Sequence, residues 1–157
     1  MTTPSPLDAL LNFARLSPTL LTAGQPTTDQ FALVRQAGCT VVINLAMPTS
    51  PGALSNEADL VAAQGMTYVP LPVVWEQPTL DDLARFFAAM QTHAADTVLV
   101  HCALNYRAST FAYLYRVLCL HEPEEPARWD MLAVWEPDDT WAALIAAAFA
   151  HFTGKSE

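Results

Sequence analysis

The chain has 157 residues, of which 52% are hydrophobic and 15% are charged, and this is the size and composition of a single globular domain. Seven lysine and arginine residues stand against sixteen acidic ones, which gives a formal net charge of -9. Such a chain without a basic stripe is a poor candidate for binding nucleic acids or anionic membranes, because both depend on cationic side chains. We expect one domain over residues 1–157 in the cytoplasm, with no signal peptide and no membrane-spanning segment.

Segments typical of strands and of helices alternate along the chain. In chain order we predict strand 20–23, helix 31–37, strand 40–45, helix 55–65, strand 67–71, helix 79–94, strand 97–101 and helix 107–120, then two closing helices at 127–134 and 139–152. Continuous β-branched runs are typical of strands buried on both faces, whereas Pro70 demotes its strand towards an edge or an end of the sheet. The alternation predicts a three-layer α/β/α fold with a central, mostly parallel sheet of four to five strands and a helical C-terminus.

The cysteines and histidines are not arranged as metal ligands or as a disulfide framework. Cys39, Cys102 and Cys119 form no Cys-x-x-Cys pair, and the four histidines are scattered. We therefore expect reduced thiols, no metal and no cofactor. Cys39 lies in a helix–strand turn and Cys119 on an apolar helix, where inert burial is the simpler interpretation.

One segment combines residue types that carry chemistry. Strand 97–101 ends directly before Cys102. We call residues 102–108, which form a turn and the start of the next helix, the Cys102 loop. The carboxyl ends of parallel strands are where α/β folds place ligand sites, and a helix N-terminus offers unpaired N–H groups to an anion. A cysteine beside such a helix end and beside Arg107 favours the nucleophilic thiolate. The segment therefore predicts a site that binds an oxyanion and activates a sulfur.

The run His101-Cys102, followed by Arg107-Ala108-Ser109, resembles the signature of the cysteine-dependent protein tyrosine and dual-specificity phosphatases. The chain from about residue 20 to about residue 115 resembles one bacterial branch of them, the small DUF442-like domains that also occur near β-lactamase-like hydrolases. Besides the Cys102 loop, the residues that carry this second resemblance are Thr22-Ala23-Gly24-Gln25-Pro26-Thr27, Val42-Ile43-Asn44-Leu45 and Val74-Trp75-Glu76. The resemblance implies a phosphatase-like fold in which the Cys102 loop binds phosphate.

The spacing between cysteine and arginine departs from the phosphatase pattern, which has five intervening residues and then a hydroxyl residue. Here four residues separate Cys102 from Arg107, and Ala108 follows. Either the loop is one residue shorter and Arg107 is the phosphate-binding arginine, or the loop keeps its length, Ala108 takes the arginine position and Ser109 supplies the hydroxyl. We favour the second alignment because it needs no gap. It also places Asn105 where the family often has glycine, and Asn tolerates the left-handed backbone.

The resemblance implies a role for each polar residue near the sulfur. Cys102 would attack phosphorus, Ser109 would donate a hydrogen bond to the departing sulfur, and His101 would order the loop. Glu76, in the loop after the preceding strand, is the candidate general acid, and Trp75 would form a wall of the pocket. Backbone N–H groups and the guanidinium of the loop would hold the phosphate, from Ala103, Leu104, Asn105, Tyr106, Arg107 and Ala108.

These assignments predict a phosphomonoester hydrolase that acts through a phosphocysteine on a phosphorylated small molecule or a phosphoprotein, with slow turnover because the loop is atypical. Two alternatives stay open at this point. One is a pseudophosphatase that binds phosphate or sulfate without turnover. The other is a rhodanese-like protein that carries a persulfide on Cys102.

Overall fold

The structure is a computed structural model that describes residues 6–153, so residues 1–5 and 154–157 of the expected domain lie outside the description. The strands are β1 (Ala14–Ser17), β2 (Leu20–Ala23), β3 (Val41–Asn44), β4 (Thr67–Pro70) and β5 (Val98–His101). The helices are α1 (Gln30–Gln36), α2 (Glu57–Ala63), α3 (Leu80–Thr92), α4 (Tyr106–Leu118), α5 (Glu124–Leu132) and α6 (Asp139–Thr153), and a single 3₁₀ turn at Pro6–Ala9 precedes β1.

The strands form one mixed sheet in the order β1-β2-β5-β3-β4. β2, β5, β3 and β4 run parallel, and β1 pairs antiparallel with β2 at one edge. The predicted α/β fold with a mostly parallel sheet is confirmed, and β4, with its proline, lies at the other edge. The register sets the last residues of β2, β5 and β3 side by side, namely Ala23, His101 and Asn44. The segments that follow these strands therefore meet at one end of the sheet, which is where the site lies.

Two apolar clusters cover the opposite faces of the sheet and account for the three layers. Neighbouring residues of a strand point to opposite faces, so Leu20 and Leu21 of β2 belong to different clusters. Leu21 packs with side chains of α1 and α2, and Leu20 packs with those of α3, α4 and α6. Helix α4 is enclosed along most of its length, because every residue from Arg107 to Arg116 is buried. Within residues 6–153, no helix is both long and apolar enough to cross a membrane.

Two elements differ from the sequence prediction. Strand β1 was missed because it is short and none of its residues is fully buried, and its register against β2 shifts between Arg15 and Ser17. Such a strand has no hydrophobic pattern to reveal it. Helix α5 begins at Glu124, ahead of the predicted 127, because Pro126 lies in its first turn, where the missing N–H has no helical acceptor to lose.

Candidate active site

The Cys102 loop joins the central strand β5 to the N-terminus of α4. Cys102 is buried, and its backbone N–H donates to the carbonyl of Ala23 at 3.4 Å. Asn105 has a φ of 72°, in the left-handed region, and it immediately precedes the first residue of α4. The left-handed backbone that Asn105 was expected to tolerate is therefore present, and α4 begins at the next residue, four positions after Cys102.

The backbone N–H groups of the loop are left without protein acceptors. Within residues 6–153, none of the amides from Ala103 to Ala108 donates a hydrogen bond. The carbonyls, by contrast, are bound from outside the loop: that of Ala103 accepts from the N–H of Gln25 at 3.0 Å, and that of Leu104 from Asn12 Nδ2 at 3.0 Å. In a trans peptide the C=O and the next N–H point in opposite directions, so binding the carbonyls turns the amides away from these donors. We call the amides of residues 103–108 the amide cradle.

Arg107 is buried at the base of the same pocket as Cys102. Its Nη1 donates to the carbonyl of Val73 at 2.8 Å, and its Nη2 donates to Ser50 Oγ at 3.4 Å. Its Cζ atom lies 5.9 Å from the ring centroid of Trp75, within the range of a cation–π contact. These contacts hold the guanidinium against the loop that follows β3 and the loop that follows β4. Both of these loops line the pocket.

The pocket has a volume of about 520 Å³ and opens between three loops, residues 47–51, residues 74–76 and the Cys102 loop. Its lining is mostly apolar. Among the described residues that line it, Arg107 is the one cation and Glu76 the one carboxylate. Glu76 is exposed at the rim, and Trp75 forms part of the wall. The structure thus brings Cys102, Arg107, Glu76 and Trp75 together around one cavity.

Ser109 is not brought to the sulfur, and this corrects the favoured alignment. Its hydroxyl donates to the carbonyl of Tyr106 at 3.2 Å, and the side chain lines a separate crevice with Tyr113. The reason is helical geometry: α4 already includes Arg107, and side chains two positions apart on a helix point about 200° apart. Since Arg107 faces the pocket, Ser109 faces away. The arrangement matches the alternative with the shorter loop, in which Ala108 follows the arginine and no hydroxyl is supplied at that position.

His101 is fully buried and links the loop to a carboxylate that the sequence analysis passed over. Its Nδ1 lies 3.2 Å from the carbonyl of Cys102, and its Nε2 lies 2.5 Å from Glu57 Oε2. The other oxygen of Glu57 accepts from Gln25 Nε2 at 2.8 Å. His101 therefore contacts the loop through a hydrogen bond, as expected. Glu57 gave no sign of this role, because an acidic residue in the first turn of a helix is ordinarily a solvated one.

The loop that carries Glu76 is held by two tryptophans of the C-terminal segment, Trp135 between α5 and α6 and Trp141 on α6, which the sequence did not indicate. The ring centroid of Trp75 lies 5.4 Å from those of both Trp135 and Trp141. Trp141, fully buried on α6, donates its Nε1–H to the carbonyl of Trp75 at 3.0 Å. Trp135 also stacks on Tyr106 of the Cys102 loop, with ring centroids 4.7 Å apart. Residues far apart in sequence thus fix the wall of the pocket.

The other two cysteines lie outside this pocket and in environments that disfavour the thiolate. Burial raises the pKa of the Cys39 thiol to about 11, and burial also raises the pKa of Cys119. No group of three or more histidine, cysteine or acidic side chains with the geometry of a metal site occurs within residues 6–153.

Solved structures similar to this chain are phosphatase-like. A crystal structure of a "Putative phosphatase (DUF442)" from Shewanella putrefaciens CN-32 shares 39% sequence identity with a TM-score of 0.85, over 93% of this chain and 96% of that chain. P. aeruginosa TpbA matches at 18% identity with a TM-score of 0.74, over 94% of this chain and 92% of that chain. PTPMT1 in complex with PI(5)P matches at 18% identity with a TM-score of 0.78, over 92% of this chain and 99% of that chain. The two matches at 18% identity bear on the fold alone.

Sequence relatives include the "Beta-lactamase hydrolase-like protein" of two Xylella fastidiosa strains. Each is 34% identical over 105 residues, which is 63% of this chain and 23% of the relative. The chain therefore spans about a quarter of the length of these relatives. No family model matches the sequence.

Proposed function

This chain belongs to the DUF442 family of phosphatase-like proteins, and we propose that it hydrolyses phosphate monoesters through a phosphocysteine at Cys102. The observation that carries the proposal is that one pocket is lined by Cys102, by Arg107 and by loop residues whose backbone amides have no acceptor in the described structure, namely Ala103, Leu104 and Tyr106. A thiol is the nucleophile, and the amides and the guanidinium are donors suited to phosphate oxygens. The similarity to the "Putative phosphatase (DUF442)" of Shewanella putrefaciens favours hydrolysis over persulfide transfer or binding without turnover.

The reaction needs two displacements at phosphorus. In the first, the Cys102 thiolate forms an S–P bond as the bond from phosphorus to the ester oxygen breaks, and the leaving oxygen takes a proton from Glu76. In the second, a water molecule gives a proton to the Glu76 carboxylate and forms a P–O bond as the S–P bond breaks, so that inorganic phosphate leaves with both the thiolate and the protonated acid restored. The amide cradle and Arg107 stabilise the negative charge on the phosphoryl oxygens in both steps. Because the Ser109 hydroxyl donates to the carbonyl of Tyr106 and does not line the pocket, we expect the second displacement to be slow.

The charge distribution of the pocket favours a substrate with one phosphate and an apolar group attached to it. Arg107 is the only cation among the described residues of the lining, so a second phosphate would have no partner there. Leu104 and Val74 at the rim are 44% and 43% exposed, and they offer apolar surface to the rest of the ester. Among proteins that share the fold, TpbA has been solved in complex with pTyr and PTPMT1 in complex with PI(5)P.

Turnover of p-nitrophenyl phosphate tests the proposal. We expect the parent protein and Cys119→Ser, a matched control outside the pocket, to release p-nitrophenol and phosphate at equal rates. Cys102→Ser should release neither, and acid-quenched parent protein should carry a phosphoryl group on the peptide that contains Cys102. Absence of turnover by the parent on phosphoesters of tyrosine, serine, a nucleoside and inositol would refute the hydrolase and leave an oxyanion-binding protein.

The dependence of rate on the leaving group tests Glu76 as the acid. A general acid contributes most when the leaving oxygen is strongly basic, so Glu76→Gln should slow the hydrolysis of an alkyl phosphate by about 10²-fold or more. Hydrolysis of p-nitrophenyl phosphate, whose leaving group is an acidic phenol, should change little. Glu136→Gln, at an exposed position that does not line the pocket, is the control. Equal losses on both substrates would show that Glu76 is not the proton donor.

A further inference from the structure

The segment that precedes β1 is in direct contact with the Cys102 loop. Its residue Asn12 has a φ of 50°, in the left-handed region, and is exposed. The Nδ2 of Asn12 donates to the carbonyl of Leu104 at 3.0 Å, and the carbonyl of Asn12 accepts from Asn105 Nδ2 at 2.7 Å. Asn12 and Asn105, both with left-handed backbones, thus link the two segments: the side chain of each donates to a backbone carbonyl of the other segment. We call this pair of hydrogen bonds the asparagine clasp.

The asparagine clasp acts on a peptide group of the amide cradle. The carbonyl of Leu104 and the N–H of Asn105 belong to the same trans peptide and therefore point in opposite directions. Since Asn12 binds the carbonyl of Leu104 from outside the loop, the N–H of Asn105 points away from Asn12. That amide has no acceptor within residues 6–153.

The backbone around Asn12 is fixed independently of its side chain. The carbonyl of the preceding residue, Leu11, accepts from the N–H of Gly24 at 2.7 Å, and Leu7 and Leu10 are buried in the apolar cluster on that face of the sheet. The side chain of Asn12 is exposed and adds little to the buried core. Loss of that side chain should therefore disturb the loop without unfolding the protein.

We propose that Asn12 is a positioning residue of the oxyanion site, which orients the Asn105 amide through the carbonyl of Leu104. This inference rests on the proposed function, in that the amide cradle is taken to bind an oxyanion. The hydrogen bond spans 92 residues of sequence, from a segment with no phosphatase-like motif to the middle of the loop. A side chain that preorganises a donor in this way contributes to anion affinity, because an amide already in place loses no conformational freedom on binding.

The substitution Asn12→Gly tests the role with little disturbance of the backbone. Glycine adopts a positive φ without strain and keeps the backbone carbonyl that binds Asn105, so only the hydrogen bond to Leu104 is removed. Tungstate, a tetrahedral dianion, is the probe, and its affinity is measured by calorimetry on the full chain. We expect affinity roughly three- to tenfold weaker than that of the parent, as for one lost hydrogen bond. The melting temperature without anion should be nearly unchanged, and kcat/KM should fall by the same factor as the affinity.

Two further variants complete the test. Asn12→Asp tolerates the same backbone but offers only acceptors to the carbonyl of Leu104, so its loss of tungstate affinity should be at least as large. His121→Gly is the control, because His121 also has a positive φ of 57° but lies between α4 and α5, away from the pocket. It should bind tungstate like the parent.

Each outcome separates the inference from the function on which it rests. Equal tungstate affinity of Asn12→Gly and the parent would overturn the positioning role while leaving the site intact. A large drop in melting temperature with unchanged affinity would assign Asn12 a structural role only, and would overturn the inference as well. Failure of the parent itself to bind tungstate would refute the oxyanion site and the asparagine clasp together.

Discussion

Glu57 is a buried carboxylate, 2% exposed, whose Oε2 lies 2.5 Å from His101 Nε2 and whose Oε1 accepts from Gln25 Nε2 at 2.8 Å. Glu57→Ala removes the partner of His101 Nε2, which is fully buried, and one of the two acceptors of Gln25 Nε2. A buried polar group left without its hydrogen-bond partner costs about 1–3 kcal/mol, and the loss of a partly buried hydrogen bond adds about 1 kcal/mol. For a chain of this length, each kcal/mol lowers the melting temperature by about 2–4 °C, so we expect a decrease of roughly 4–16 °C.

Glu57→Gln separates hydrogen bonding from charge. The glutamine oxygen can still accept from Gln25, and its amide can donate to His101 Nε2 when the imidazole proton is on Nδ1. That nitrogen faces the carbonyl of Cys102 at 3.2 Å, so every hydrogen bond of the network can be kept. We expect this variant to lose about 1 kcal/mol, the scale of one altered hydrogen bond. Its tungstate affinity should stay close to that of the parent, whereas Glu57→Ala should weaken it, because His101 then no longer anchors the loop.

Thermal unfolding monitored by circular dichroism, with tungstate calorimetry, measures both effects. Glu125→Ala on α5 is the matched control, since the side chain of Glu125 is 74% exposed and its change should be nearly neutral. If Glu57→Ala melts within about 2 °C of the parent, the buried pair contributes nothing net and the reasoning fails. If Glu57→Gln is as unstable as Glu57→Ala, the charge rather than the hydrogen-bond geometry is what the network requires.

Three further predictions concern positions around the pocket. A Cβ at Gly24 would lie 2.7 Å from the carbonyl oxygen of Ala103. Gly24→Ala should therefore lower the free energy of unfolding by about 1–3 kcal/mol and weaken tungstate binding. An unchanged melting temperature would mean that the Cys102 loop moves aside without cost. Trp141→Phe removes the N–H that holds the loop of the candidate acid, so it should slow the hydrolysis of alkyl phosphates more than that of p-nitrophenyl phosphate. Trp129→Phe, at a side chain 61% exposed, should slow neither, and equal losses in Trp141→Phe would contradict the positioning role. Burial raises the pKa of Cys39 to about 11, so its thiolate fraction is small at neutral pH and grows about tenfold with each unit of rising pH below that value. Peptide mass spectrometry should therefore find Cys39 unmodified by iodoacetamide at pH 7. Rapid labelling at pH 7 would show that the apolar cluster around Cys39 opens.

Local sequence rules predicted the elements that depend on local patterns. β3 begins Val-Val-Ile and β5 begins Val-Leu-Val, and such continuous apolar runs rich in β-branched residues predict buried parallel strands. The left-handed turn at Asn105 follows from what an asparagine side chain permits at a short strand-to-helix connection. β1 could not be predicted in this way, because its pairing with β2, and not an apolar pattern of its own, makes it a strand.

The sequence also misdirected one assignment for a physical reason. Counting residues from Cys102 places Ser109 at the hydroxyl position, but counting ignores where the helix begins. Since α4 starts at Tyr106, the helical repeat sends Arg107 to the pocket and Ser109 to the far side. Although one residue fewer separates cysteine from arginine, Arg107 lines the same pocket as Cys102.

By itself, then, the sequence determined the layered α/β architecture and the strand–cysteine–turn–helix unit, because these depend on contacts a few residues apart. The tertiary structure alone decided what surrounds that unit. The side chain that holds the carbonyl of Leu104 lies 92 residues away in sequence, and the partner of His101 lies 44 residues away. Their placement follows from the strand order, which sets the ends of β2, β3 and β5 beside one another. No local pattern encodes such an approach, because a hydrogen bond between distant segments exists only once the sheet has brought them together.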